Sequence, residues 1–133
     1  EVCADLNDID YGAWQFKTFD AAKADDPALY AVWLATPELI RFPDGESLQE
    51  LAARAANVLR FVLARHPGDT IVLVGHDSVN RALLMQWLDM PLSAYRRIAQ
   101  EPCCLNEIDV GGATFRVVRV NETRHLDALT PAP

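Results

Sequence analysis

The sequence predicts an α/β domain with a mostly parallel sheet and helices on both faces, and three stretches carry that prediction. Ile71 to Val74 is an unbroken apolar run ending in Gly75. Such a run marks a strand buried on both faces, which is the habit of parallel sheets. Ser47 and Glu50 form a capping box at the head of a long amphipathic stretch. Gly111-Gly112 sits between two short runs rich in β-branched residues, which is a hairpin signal.

Taken in order, the chain opens irregularly, and Thr18 to Lys23 forms a short helix. Asp26-Pro27 supplies the N-cap and first residue of another helix, which runs to about Ala35 until Thr36-Pro37 stops it. Arg41 to Gly45, with Pro43 and Asp44-Gly45, is a turn. The helix from Ser47 to about His66 follows, because Leu48, Leu51, Ala52, Ala55, Val58, Leu59, Val62 and Leu63 make one apolar stripe at helical spacing. Pro67-Gly68 ends it. Thr70 to Gly75 is the buried strand, and Ser78 to Leu88 is a helix apolar on nearly all sides, hence interior. After Pro91, Leu105 to Val110 and Thr114 to Val120 make the hairpin, and the last dozen residues, with Pro131 and Pro133, are expected to form a mobile tail.

The composition narrows the function. With 133 residues, 50% hydrophobic and 23% charged, the chain suits one globular domain. A net charge of −7, with the twelve basic residues scattered among nineteen acidic ones, argues against nucleic acid as a partner. No apolar run reaches membrane-spanning length, and EVCADLND lacks the basic start and apolar stretch of a signal peptide, so a cytoplasmic protein is expected. Cys103 and Cys104 are adjacent, a poor geometry for a structural disulfide, and no Cys/His spacing resembles a zinc site.

The chemistry concentrates in VLVGHDSVNR, Val72 to Arg81. At the carboxyl end of a buried strand the first N–H groups of the next helix face outward with partial positive charge, and an anion, above all a phosphate, is welcome there. His76 beside it can donate a charged hydrogen bond or move a proton. On these residues alone a plainer alternative stands equal: Asp77 or Ser78 is the N-cap, and His76 is half-buried and bonded to the backbone. A strand like Ile71 to Val74 also needs partners on both edges, yet the chain offers only two others, both late and antiparallel. The expectation is that this strand either lacks a neighbour or pairs with another polypeptide.

LNDIDYGAW (Leu6 to Trp14), FPDGESL (Phe42 to Leu48), VLVGHDSVNRALL (Val72 to Leu84) and the ending LNEID … VNETRHL together resemble, in order and spacing, the histidine phosphatase superfamily, phosphoglycerate mutase-like branch. The resemblance covers nearly the whole chain. It implies a three-layer sandwich, a mostly parallel sheet with helices on both faces, whose N-terminal strand, ending in an RHG motif with the phosphate-accepting histidine, is missing here. The whole of 1–133 is then the C-terminal larger part of one domain. His76 matches the second histidine, which stabilises the phosphoryl group. Asp8 matches the position where most of this branch has a Glu as general acid. Asp77 departs from the usual Gly, and the acid phosphatase branch uses an Asp there as proton donor, so two candidate acids are present. Gly12 and Trp14 follow the pattern, whereas Phe16 stands where Gly is frequent and would narrow the substrate entrance. Gly75, Ser78, Glu46 and Trp14 are the candidate substrate-binding residues.

The resemblance implies a phosphomonoester hydrolase acting through a phosphohistidine on a small phosphorylated metabolite, with no metal or other cofactor needed, no nucleic acid and no membrane. Its partner would be a complementing N-terminal segment or a second copy. A phosphoglycerate mutase is less favoured, because the stretch between Gly12 and Gly45 is short. A non-catalytic ligand-binding module stays open, while a nucleotide-binding domain lacks any GxGxxG or Walker glycine pattern.

Overall fold

The computed structural model describes residues 1–112 and 114–129. It holds four α-helices, α1 (Phe19–Asp25), α2 (Pro27–Ala35), α3 (Leu48–Arg65) and α4 (Asp77–Trp87), and two strands, β1 (Leu105–Gly111) and β2 (Thr114–Glu122). Short 3-10 turns at Ala4–Leu6, Gly12–Trp14, Pro37–Leu39, Leu92–Arg97 and Arg124–Leu129 link or end these elements.

The helix starts are set by local chemistry. Thr18 Oγ1 accepts the Ala21 N–H at the head of α1, and Asp26 Oδ1 accepts the Leu29 N–H at the head of α2, with Pro27 as first helical residue. At α3 the capping box is complete: Ser47 Oγ accepts the Glu50 N–H, and Glu50 Oε2 reaches back to the Ser47 N–H. Arg41 adds a bond to the same Glu50 oxygen at 2.5 Å. These donors, the Arg41 guanidinium first, hold the Glu50 carboxyl down at about 2.

Leu48, Leu51, Ala55, Val58 and Val62 form the buried stripe of α3, which packs on the buried residues of α4, Val79 and 82–85. The other part of the same core is aromatic. The Phe42 ring lies 5.0 Å from Tyr11, 5.3 Å from Trp14 and 5.3 Å from Trp33, mostly edge-on. Two loops meet beside it without side chains between them. A Cβ on Gly12, which has φ +50°, would fall 2.1 Å from the Pro43 carbonyl oxygen, and one on Gly45 would fall 2.4 Å from that of Asp10.

Three expectations need correction. No parallel sheet is present among the described residues: the one sheet is the antiparallel pair β1–β2. Residues 70–75 are not a strand, because no other described segment is paired with them in a ladder: β1 and β2 pair only with each other. Their exposures alternate, Ile71 41%, Val72 83%, Leu73 38% and Val74 81%. Side chains 71 and 73 lean on an apolar groove of about 410 Å³ that Leu59, Leu63, Leu84 and Trp87 also line, while Val72 and Val74 are bare on most of their surface. The expected cover on both faces is thus partial on one and slight on the other. Residues 124–129 form a 3-10 turn rather than an unstructured tail, with Leu126 N–H bonded to the Thr123 carbonyl; Pro131 and Pro133 lie outside the described residues. No helix among those described is long and apolar enough to cross a membrane.

Candidate active site

The segment after residue 75 turns directly into α4, and His76 occupies the N-cap with extended backbone (φ −110°, ψ 172°). Its side chain caps nothing and makes no hydrogen bond to the described residues, and it is exposed on the wall of an open cleft of about 560 Å³. The plainer expectation of a half-buried His76 tied to backbone is therefore not what the fold holds. Nor is Asp77 or Ser78 the N-cap. Asp77 is the first helical residue, and its Oδ1 accepts from Arg81 Nε at 2.7 Å, an i,i+4 pair on the helix surface.

The cap of α4 comes from the other end of the chain. Asp8 Oδ1 accepts the Ser78 N–H at 3.2 Å, across 70 residues of sequence. A carboxylate from a distant part of the same chain thus satisfies a first-turn donor where the helix dipole favours negative charge. Asp8, His76 and Glu46 line the same cleft, together with Asn7, Asp10, Gln15 and Arg54. Ser78 is buried just beneath, 1% exposed, with its Oγ 3.4 Å from the Tyr11 hydroxyl. Burial pushes the Tyr11 phenol up, with the charges of Asp8 and Asp77 adding to the effect against the bond from Ser78. Burial likewise pushes up the Tyr95 phenol, which also bonds to Ser78. Both phenols stay protonated at neutral pH, and a hydroxyl trio underlies the helix terminus.

One arginine organises the opposite wall. Arg54 Nη1 donates to the carbonyls of Asp5 (2.8 Å) and Asn7 (2.7 Å), and Nη2 donates to that of Asp8 (2.8 Å). Its Nε and Nη2 hold both oxygens of Glu46 at 3.1 and 2.6 Å. The pair is largely shielded, with side chains 17% and 16% exposed. Glu46 Oε1 also accepts the Asp10 N–H at 2.8 Å.

The fold therefore gathers Asp8, His76, Ser78 and Glu46, and it leaves three other candidates elsewhere. Trp14 is buried in the aromatic cluster and lines neither cavity; its neighbour Gln15 reaches the cleft instead. Asp77 is turned to Arg81. Gly75 packs against the start of α4, where an added Cβ would meet Asn80 Oδ1 at 2.8 Å. Phe16 is fully exposed with φ 62°, a left-handed backbone that a bulky residue adopts only at a cost. Sequence reasoning missed Arg54, Tyr11 and Tyr95. Arg54 had left a trace, a charge three residues after Leu51 at the margin of the apolar stripe. No group of three or more metal-ligating side chains meets among the described residues.

Comparison with known proteins bears on this geometry. The model of the histidine phosphatase superfamily (branch 1) matches residues 1–123. "Phosphoserine phosphatase 1" of Hydrogenobacter thermophilus is 26% identical over 119 residues, which are 90% of this chain and 56% of that protein. Among solved structures, Bacillus stearothermophilus YhfR superposes with TM-score 0.89 at 26% identity, covering 94% of this chain and 62% of that one. A mycobacterial glucosyl-3-phosphoglycerate phosphatase, Rv2419c, superposes with TM-score 0.78 at 22% identity, covering 92% and 65%. The chain thus spans roughly six-tenths of the length of these relatives.

Proposed function

We propose a reaction on the premise that this chain belongs to the histidine phosphatase superfamily, branch 1, as the match over residues 1–123 establishes: the complete protein hydrolyses small phosphomonoesters through a phosphohistidine. The observation that carries this reading is the meeting of Asp8 with the head of α4, where its Oδ1 accepts the Ser78 N–H beside the unbonded His76. A carboxyl group, an imidazole and a helix N-terminus in one cleft are the parts that a phosphoryl transfer without metal requires.

The nucleophilic histidine is supplied by polypeptide outside residues 1–133. Of the other histidines, His66 pairs with Asp69 and His125 lies in the C-terminal 3-10 turn, and neither lines the cleft. A nitrogen of that outside histidine attacks phosphorus in line, and the ester P–O bond breaks. Asp8, as the carboxylic acid, protonates the departing alkoxide. The Asp8 carboxylate then takes a proton from water as that water attacks phosphorus and breaks the P–N bond, releasing inorganic phosphate. His76 donates to an equatorial oxygen and holds the charge that builds there. Between Gly12 and Gly45 lie two short α-helices, α1 and α2, and the 3-10 turns Gly12–Trp14 and Pro37–Leu39, a short stretch that favours a hydrolase over a mutase. The same outside segment covers residues 71–74 and the apolar groove.

Asp8 is favoured over Asp77 as the acid because Asp77 is engaged with Arg81 on the helix surface. The test uses the complete protein with Asp8→Asn and Asp77→Asn, each assayed on 4-nitrophenyl phosphate and on glycerol 2-phosphate. Loss of the acid slows the alkyl ester far more than the aryl ester, since only the alkoxide needs a proton, and the deficit is about 10²–10⁴-fold. If Asp77→Asn shows that selectivity and Asp8→Asn does not, the assignment is reversed.

A further inference from the structure

We infer that Arg54 is the positioning residue that sets Asp8 for proton donation, acting through the backbone of residues 5–8 and through Glu46, and never on the phosphate; this rests on the reading of Asp8 as the acid. A guanidinium carries five N–H donors in a fixed planar fork. In Arg54 all five are spent inside the fold, on the carbonyls of Asp5, Asn7 and Asp8 and both oxygens of one carboxylate. An arginine on the wall of a phosphate cleft is ordinarily read as a phosphate ligand. This one has no donor left to give, and Glu46, which faces the same cleft, cancels its charge.

What those bonds hold is the stretch that carries Asp8. Residues 5–8 are not part of any helix or sheet that could fix them apart from the 3-10 turn Ala4–Leu6. The carbonyls of Asp5, Asn7 and Asp8 converge on one planar cation, and this determines the path of the backbone on both sides of residue 8. Glu46 fastens the far side, because its Oε1 takes the Asp10 N–H and its own N–H donates to the Asp10 carbonyl at 3.0 Å. The Asp8 side chain is then aimed by its own backbone at the Ser78 N–H. A lysine at position 54 has three donors on a single atom and cannot span this array. The loop would survive, and the carboxyl would lose its registration. Misplacement of a reacting group by about 1 Å costs about 10²-fold, and it does so only in the step that group serves.

The experiment is done on the complete protein with Arg54→Lys, Asp8→Asn and the double variant. The readouts are kcat on 4-nitrophenyl phosphate and on glycerol 2-phosphate, and the inhibition constant of inorganic phosphate. The expected result is a loss with Arg54→Lys that is about 10- to 100-fold larger for the alkyl ester than for the aryl ester. Phosphate inhibition stays unchanged, and Arg54→Lys has no further effect on the alkyl-to-aryl ratio once Asp8 is Asn. If Arg54→Lys does not fold, Glu46→Gln, which keeps the three carbonyl bonds but loosens the fork, should shift the ratio in the same direction by less. Equal loss on both esters, while Asp8→Asn alone changes their ratio, overturns the inference and leaves the assignment of Asp8 standing. Weakened phosphate inhibition with an unchanged ratio makes Arg54 a phosphate ligand and also overturns it. An unchanged ratio in Asp8→Asn itself removes the acid and the positioning role together.

Discussion

Replacing Val72 and Val74 together by Thr should unfold the complete protein far more readily than their surroundings in residues 1–133 suggest. In the described chain the two valines are 83% and 81% exposed, and substitutions at such surface positions ordinarily change stability by no more than about 0.5 kcal/mol. Their setting argues otherwise. They alternate with Ile71 and Leu73, which lean on the groove of α3 and α4, so the run has the period of an extended segment with one face half covered and the other bare. Burying a valine side chain is worth about 1.5–3 kcal/mol. Leaving both bare therefore forfeits roughly 3–6 kcal/mol, a large part of the roughly 5–15 kcal/mol that holds a domain together. If a further segment covers them, each threonine hydroxyl becomes a buried polar group without a partner, at about 1–3 kcal/mol. The double variant should then lose roughly 2–6 kcal/mol in the complete protein. Urea unfolding followed by fluorescence reads this directly as a lower midpoint with little change in slope. A midpoint shift worth less than about 0.5 kcal/mol would refute the covering segment.

Four more outcomes are expected. His76→Ala in the complete protein should lower kcat on phosphomonoesters by about 10²–10³-fold, as removal of one donor to developing charge does; wild-type turnover would sink the role given to this imidazole. Residues 1–133 purified alone should show no phosphatase turnover and should associate in analytical ultracentrifugation rather than melt as a cooperative monomer. The carboxyl of Glu50 should titrate near pH 2 by carbon-detected NMR, and Arg41→Ala should move it upward. Since its folded value lies below the ordinary 4.5, its contribution to stability is present above that ordinary value and is lost as the pH falls through about 2. A midpoint at or above 4.5 would show the cap to be unformed in solution. Phe42→Ala should cost about 3–5 kcal/mol of stability, because Phe42 is 1% exposed and its ring is the hub of the Tyr11, Trp14 and Trp33 contacts; a loss under 1 kcal/mol by urea unfolding, roughly that of a surface change, would contradict this.

What could be read from the sequence follows the range of the interactions involved. The start of α3 was legible because Ser47 and Glu50 settle it between themselves over three residues. The start of α2 was legible because Asp26 and Pro27 do the same, and the hairpin because each strand of the pair satisfies the other. The run at residues 71–74 was misread as a formed strand for the opposite reason. Its apolar pattern states what must eventually surround it, whereas a strand exists only where a second backbone is in reach, and none of the described residues provides one.

The cleft shows the same division within a single site. His76 was found because its surroundings, a glycine before it and a helix after it, are local. The start of α4 was misassigned because its cap does not come from Asp77 or Ser78 but from Asp8, 70 residues away, and no spacing rule reaches so far. The role of Arg54 was illegible for the same reason, beyond the trace of a charge at the margin of the apolar stripe: the carbonyls it binds lie 46, 47 and 49 residues earlier, and a carbonyl carries no residue type to recognise. These long-range bonds are also what makes the site more than a collection of suitable side chains. A half-buried aspartate and an exposed histidine are common on any acidic surface. In the reaction proposed above they serve as acid and phosphoryl-binding group because a saturated arginine fixes the backbone of one, and the helix whose N-cap is the other takes that same carboxylate on its first turn.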